Sequence, residues 1–302
     1  MTQSFSLGRI NLYFKSLRPY IVLMSIPCWF IGVSLAYSKG YFDIQNAVLS
    51  LIGALVLHLC VNAFNELFDY LRGNDTEESL SEYSGGGGYL VKGIVSPFEM
   101  GTFAIILLTI GCSIGIYIAF EHKIILIIGL IGVTMILLYT PILKPIGLGE
   151  VAMIIGFSCI SIGSYVSMFE PNKYYFDLNT FLLFLLPGIW KSTVLLVNEF
   201  PDYENDKRVN VKNWVVRFGR QNASYIYLLM MLIYYGITFW LYINQVLNIF
   251  SLLSFFTIPL FLNIFVRSLK YRDLRSHVPV MKNQVSLGFI SLMIIGISML
   301  IG

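Results

Sequence analysis

The sequence predicts an all-α, polytopic membrane protein whose nine transmembrane helices surround a central cavity opening to the cytoplasmic side. Three observations carry this reading. Of the 302 residues, 57% are hydrophobic and only 12% are charged, a balance foreign to soluble globular domains. The apolar residues gather into nine runs, each near the roughly 20 residues that cross a bilayer core. Polar and ionisable residues interrupt two of those runs on one face only, which calls for an interior rather than a lipid-facing position.

The nine runs lie at about 20 to 37, 47 to 68, 100 to 120, 123 to 142, 150 to 169, 178 to 198, 222 to 243, 247 to 266 and 284 to 302. The segment ahead of the first, MTQSFSLGRINLYFKSLRP, is too polar for a secretory signal, and no small-residue cleavage site follows, so the N-terminus is expected to be retained. All twenty Lys and Arg precede span 1 or follow spans 2, 4, 6 and 8, except Lys39, Lys123, Lys173 and Lys191. By the positive-inside rule the N-terminus is then cytoplasmic and the C-terminus outside. Cys28, Cys60, Cys112 and Cys159 sit singly inside spans, a pattern that suggests neither disulfides nor a zinc site. The chain reads as a single domain over 1–302, with two long cytoplasmic connections, about 69–99 and 199–221, as candidate lids.

Chemistry concentrates at the cytoplasmic ends of spans 2 and 6. In span 2, His58, Asn62, Asn65, Glu66 and Asp69 fall at i, i+4, i+7, i+8 and i+11, which places them on one helical face. Span 6 carries Lys191, Asn198 and Asp202 at i, i+7 and i+11. Each helix ends in Asn-x-x-x-Asp followed by a further carboxylate, Asn65 to Asp69 then Asp75, and Asn198 to Asp202 then Asp206. One acidic helix end is ordinarily just a solvated terminus; two with the same spacing on one membrane face point to a shared site. Carboxylates and amides suit a hard divalent cation such as Mg²⁺, which takes one or two carboxylates and completes its shell with water and phosphate. The cations among them, Arg72, Lys92, Lys144, Lys191, Lys207 and Arg208, would repel a transported metal but suit a metal-bridged diphosphate.

At these residues the chain resembles the UbiA superfamily of intramembrane prenyltransferases, over essentially its whole length. NAFNELFDYLRGND is similar to the first aspartate-rich motif of the menaquinone-pathway branch, and NEFPDYENDKRVNVKNWVVRFGR to the second; LRPY, GGGGYLVKGIVSP and YTPILKPIGLGEV are further matches. Two departures stand out: Gly73 occupies the usual third acidic position, with the carboxylate displaced to Asp75, and Glu66 stands where that branch has Asp. GGGGY in place of an Arg-rich run argues against the 4-hydroxybenzoate and haem O types.

The resemblance implies nine helices in a bacterial or archaeal cell membrane and Mg²⁺-dependent prenyl transfer. It implies two ions, one held by Asn65, Asp69 and Asp75 and one by Asp202 and Asp206, with Asn62 and Asn198 orienting ligands or touching diphosphate. Lys144 and Arg72 are the expected diphosphate contacts, followed by Arg18 and Lys92. Tyr139 and Tyr203 would shield an allylic cation by their ring faces; no general base for the aromatic proton is identified, and Glu66 and His58 are candidates by position only. The implied partners are a polyprenyl diphosphate, an aromatic acceptor of the 1,4-dihydroxy-2-naphthoate type and the lipid bilayer, with no nucleic acid. A membrane terpene cyclase would ionise its substrate in the same way, and a secondary transporter is a third reading, in which Lys191 and His58 form a coupling path.

Overall fold

The computed structural model describes residues 16–17, 19–75, 88–171 and 173–301; Arg18, residues 76–87 and most of the glycine run at 85–88 lie outside them. All regular structure among the described residues is helical. After a single turn, Pro19–Val22, come α1 (Ser25–Ser38), α2 (Ile44–Arg72), α3 (Pro97–Ala119), α4 (Ile124–Leu138), α5 (Gly149–Val166), α6 (Leu178–Arg208), α7 (Trp214–Ile243), α8 (Ile258–Leu269) and α9 (Leu274–Leu300). A π-helical turn, Tyr139–Leu143, extends α4, and a 3₁₀ segment, Ile249–Thr257, leads into α8. Eight of these, counting α4 and α8 with their extensions, are long and apolar enough to cross a membrane.

The exception is α1. Its 14 residues are the remainder of the first predicted span, broken at Leu23 and Met24. Pro27 has no N–H to donate to Leu23 O, and Ile26 N takes that carbonyl instead at 3.0 Å, in a tighter turn. The second predicted lid also differs. Residues 199–208 finish α6 and 214–221 begin α7, so the connection shrinks to Val209–Asn213. Helical pairing satisfies backbone groups that a long loop would leave to water.

Polar residues at the connections start several of the helices by accepting orphan backbone N–H groups. Asp43 caps α2 through Asn46 N, Ser96 and Glu99 form a capping box on α3, Asp177 caps α6 through Thr180 N, and Asn213 caps α7 through Val216 N. The bundle is centred on α6. Within its apolar window 78% of residues are buried, against 17% for α4, so α6 is the inner column and α4 an outer wall. Small residues allow the close approach expected of helices that lack a hydrophobic drive to associate in lipid. A Cβ at Gly188 of α6 would lie 2.3 Å from Ile154 O of α5, and one at Gly32 of α1 would lie 2.2 Å from Ser161 O. Where α6, α7 and α9 meet, Gln284 is held on all sides: its Oε1 accepts from Tyr227 OH, its Nε2 donates to Thr193 Oγ1, and its carbonyl accepts from Trp190 Nε1.

Candidate active site

The ends of α2 and α6 come together at one pole. On α2 the face carrying His58, Asn62, Asn65 and Asp69 lines a cavity, and on α6 the face carrying Lys191, Asn198, Asp202 and Asp206 lines the same one. With its open mouth this cavity holds about 1090 Å³ of empty space. Gly73 makes the α2 half possible. At φ 79° it ends the helix in the left-handed region, its N–H bonds Tyr70 O, and Asn74 N returns to Asp69 O at 2.9 Å. That reversal carries Asn74 and Asp75 back to the cavity wall. The tips are joined directly, because buried Asn74 donates its Nδ2 to Asp206 Oδ1 at 2.5 Å. Asn213 Nδ2 takes the other Asp206 oxygen at 2.6 Å.

The turn after α4 supplies the cation. Lys144 Nζ stands 2.8 Å from Asp69 Oδ2. Its turn is clasped to the α6–α7 connection by Lys212 N on Pro145 O at 2.9 Å, and to the start of α7 by Trp214 Nε1 on Gly147 O at 3.0 Å and Arg217 on Ile146 O at 2.8 Å. Burial acts to lower the Lys144 pKa, but the carboxylates of Asp69 and Asp206 outweigh it and hold the ammonium well above its usual range. Asp75 shows the opposite imbalance: burial first, then Asp69, pushes it up to about 7, with Glu66 and Asp202 adding to the rise and Lys144 opposing it. The pole thus carries more carboxylate than its resident cation neutralises.

The donor set fits a hard divalent ion. It consists of carboxylate and amide oxygens, and Asp69 Oδ1 is buried without a hydrogen-bond partner. Among the described residues no three acidic, His or Cys side chains form a ready cage. That is compatible with Mg²⁺, which uses few protein ligands and brings water and substrate phosphate with it.

Several predicted site residues fall elsewhere. Arg72 does not line the cavity; its terminal nitrogens donate to Thr140 O and Pro141 O at 3.2 and 3.1 Å, bracing the π-helical turn. Lys92 is exposed and away from the wall. Tyr203 turns its ring to the protein's own cations, 4.6 Å from the Arg220 guanidinium and 5.8 Å from Lys207 Nζ. Glu66 is buried but is not a wall residue. Tyr139, by contrast, lines the cavity at the start of the π turn. Sequence reasoning passed over Asn74, Asn205 and Glu199. Glu199 is eight residues after Lys191 and Asn205 seven after Asn198, so the periodicity that singled out their neighbours applied equally to them.

A second, apolar space lies between α2, α3, α4 and α5, with about 1060 Å³ of empty volume including its opening. It shares His58, Val61, Tyr139, Met153 and Phe157 with the polar cavity, so the two adjoin along that wall. Glycines keep it open: a Cβ at Gly115 or Gly129 would meet nothing within 4 Å. Together they form a charged head pocket with an apolar extension, a shape for an amphiphile bearing a polyanionic group.

The model of the UbiA prenyltransferase family matches residues 25–293. The chain belongs to that family. It is therefore a prenyltransferase, and the 1,4-dihydroxy-2-naphthoate octaprenyltransferases of Escherichia coli and Bacillus subtilis are similar to it. The first is 26% identical over 72% of this chain and 71% of its own length, the second 28% identical over 73% and 70%. Among solved structures, a UbiA homolog from Aeropyrum pernix superposes with a TM-score of 0.72 at 15% identity, covering 93% of this chain and 98% of the other. A UbiA homolog from Archaeoglobus fulgidus bound to DMAPP and Mg²⁺ gives 0.64 at 16% identity, covering 93% and 99%. These two likenesses establish the fold shared with the family.

Proposed function

We propose that this UbiA-family protein transfers a prenyl group from a polyprenyl diphosphate to an aromatic acceptor of the 1,4-dihydroxy-2-naphthoate class, with Mg²⁺ as cofactor. One observation carries the reading: both acidic helix tips line a single cavity that adjoins an apolar groove. The naphthoate octaprenyltransferase relatives support the acceptor class, and the DMAPP- and Mg²⁺-bound homolog supports the donor and the metal. Asn65, Asp69 and Asp75 would hold one ion and Asp202 with Asp206 a second. When bound, the metal supplies positive charge that offsets what develops on the departing diphosphate.

This chain's residues do the rest. Lys144, already beside Asp69, adds a cation at the diphosphate end. The groove takes the prenyl tail, and the rings of Tyr139 and Phe157 at its neck face the allylic carbon and exclude water that would otherwise capture the cation. In the membrane, the turn Pro19–Val22 and α1 together form a ninth crossing. The site then faces the cytoplasm with the N-terminus, and the C-terminus lies outside.

The test is pyrophosphate release by purified protein given Mg²⁺ and geranylgeranyl diphosphate, with and without 1,4-dihydroxy-2-naphthoate. Release that requires the acceptor and yields a prenylated ring is the expected result. Release without any acceptor would make the protein a cyclase or hydrolase instead.

A further inference from the structure

Lys191 is not part of the acidic pole. It lies eleven residues before Asp202 on α6, about 16 Å along the helix axis, at the membrane-side end of the cavity, and is only 6% exposed. No carboxylate stands within ion-pair distance of it among the described residues. Its Nζ meets Met24 Sδ at 3.7 Å and the Phe157 ring, whose centroid is 4.5 Å away. A thioether is a weak acceptor and an ammonium has three donors, so this environment leaves hydrogen-bonding capacity unused. Lysine within a membrane span is costly, and such residues mark ligand paths.

The surroundings describe what would complete it. Phe157 and His58 meet edge to face at 5.1 Å, and His58 is oriented by the 2.7 Å bond between its Nδ1 and Ser25 Oγ. Both rings line the polar cavity and the apolar groove. The pocket beside Lys191 therefore offers aromatic walls with one cation at its inner end. Lys144, in contrast, is paired with Asp69 at the acidic pole, 2.8 Å from Oδ2.

We infer that Lys191 binds the anionic substituent of the acceptor, a ring carboxylate or phenolate oxygen, while the ring itself lies against Phe157 and His58. This rests on the transferase reading for the acceptor's identity but makes a separate claim about binding. Lys191 thus sets specificity for acidic aromatic acceptors and holds the ring between the groove neck and the diphosphate.

The experiment is equilibrium binding in nanodiscs without prenyl donor, using 1-hydroxy-2-naphthoate and 1-naphthol as probes. Wild type should bind the naphthoate at least ten-fold more tightly than the naphthol. Lys191→Met should erase that preference, Lys191→Arg should keep most of it, and affinity for Mg²⁺-geranyl diphosphate should change less than two-fold. Lys191→Gln serves where the Met variant does not fold, with the same loss expected. A preference that survives neutralisation, a wild type with no preference, or a loss that falls on the diphosphate overturns the inference. Naphthoate binding through Lys191 without acceptor-dependent pyrophosphate release would sink the transferase reading alone.

Discussion

The tips of α2 and α6 carry the same Asn-x-x-x-Asp spacing yet reach the cavity by different means. On α6 the helix runs unbroken to Arg208, so Asp202 and Asp206 are one turn apart on a continuous face. On α2 the helix stops at Gly73, and Asp75 arrives on a reversed segment. Their charges are balanced differently too. Asp69 is paired with an ammonium, Lys144, whereas Asp206 is held by two neutral amides, from Asn74 and Asn213. A cation lent by another turn can be redirected to a substrate; neutral amides serve mainly to aim a carboxylate. Under the proposed function, the α2 side would bring the exchangeable charge and the α6 side the platform.

The largest effect is expected from removing either carboxylate at the heart of a tip. Asp69→Ala and Asp202→Ala should each lower turnover on the order of 10³-fold, as loss of a group that anchors transition-state charge does. If one variant retains near-normal turnover at ordinary metal concentration, the tips do not act together. Lys144→Met should come next, with kcat reduced roughly 10²-fold, and its damage should exceed that of Asn213→Ala, which removes a neutral donor. Equal losses in the two would erase the distinction between exchangeable charge and platform.

Asn74→Ala cuts the bond between the tips. Losing a hydrogen bond to a charged group costs about 1.5–3 kcal/mol, so the metal dependence of the rate should shift to higher Mg²⁺ by about ten-fold while the fold persists. Gly73→Ala should have the smallest effect. It meets no atom within 4 Å, so the strain is conformational; forcing a Cβ into the left-handed region costs roughly 1–2 kcal/mol. A modest fall in melting temperature is expected, with Asp75 misplaced and Asp202 unaffected.

The helices and the acidic faces were legible because their causes are local. A bilayer fixes the length of an apolar run, and the 3.6-residue period fixes which polar residues share a face; His58, Asn62, Asn65 and Asp69 follow from that alone. Where the reading departed from the structure, the cause was tertiary. Arg72 has the right spacing for the cavity, but the π turn at Tyr139–Leu143 presents carbonyls that capture it. Tyr203 was drawn away by Arg220, a residue of the next helix. Asn74 gave no periodic signal, because it lies past the glycine that ends the helix. Lys191 was visible as an inward charge, but its separation from the carboxylates needed the distances.

The central claim is that the two tips grip one diphosphate, and a structure with Mg²⁺ and an unreactive geranyl thiolodiphosphate tests it most directly. The account predicts a diphosphate touched from both sides, by Asp69 and Lys144 with the α2 end and by Asp202 and Asp206 with the α6 end, and a tail running into the groove past Tyr139 and Phe157. A diphosphate bound to one tip alone, or a tail lying outside that groove, would contradict it.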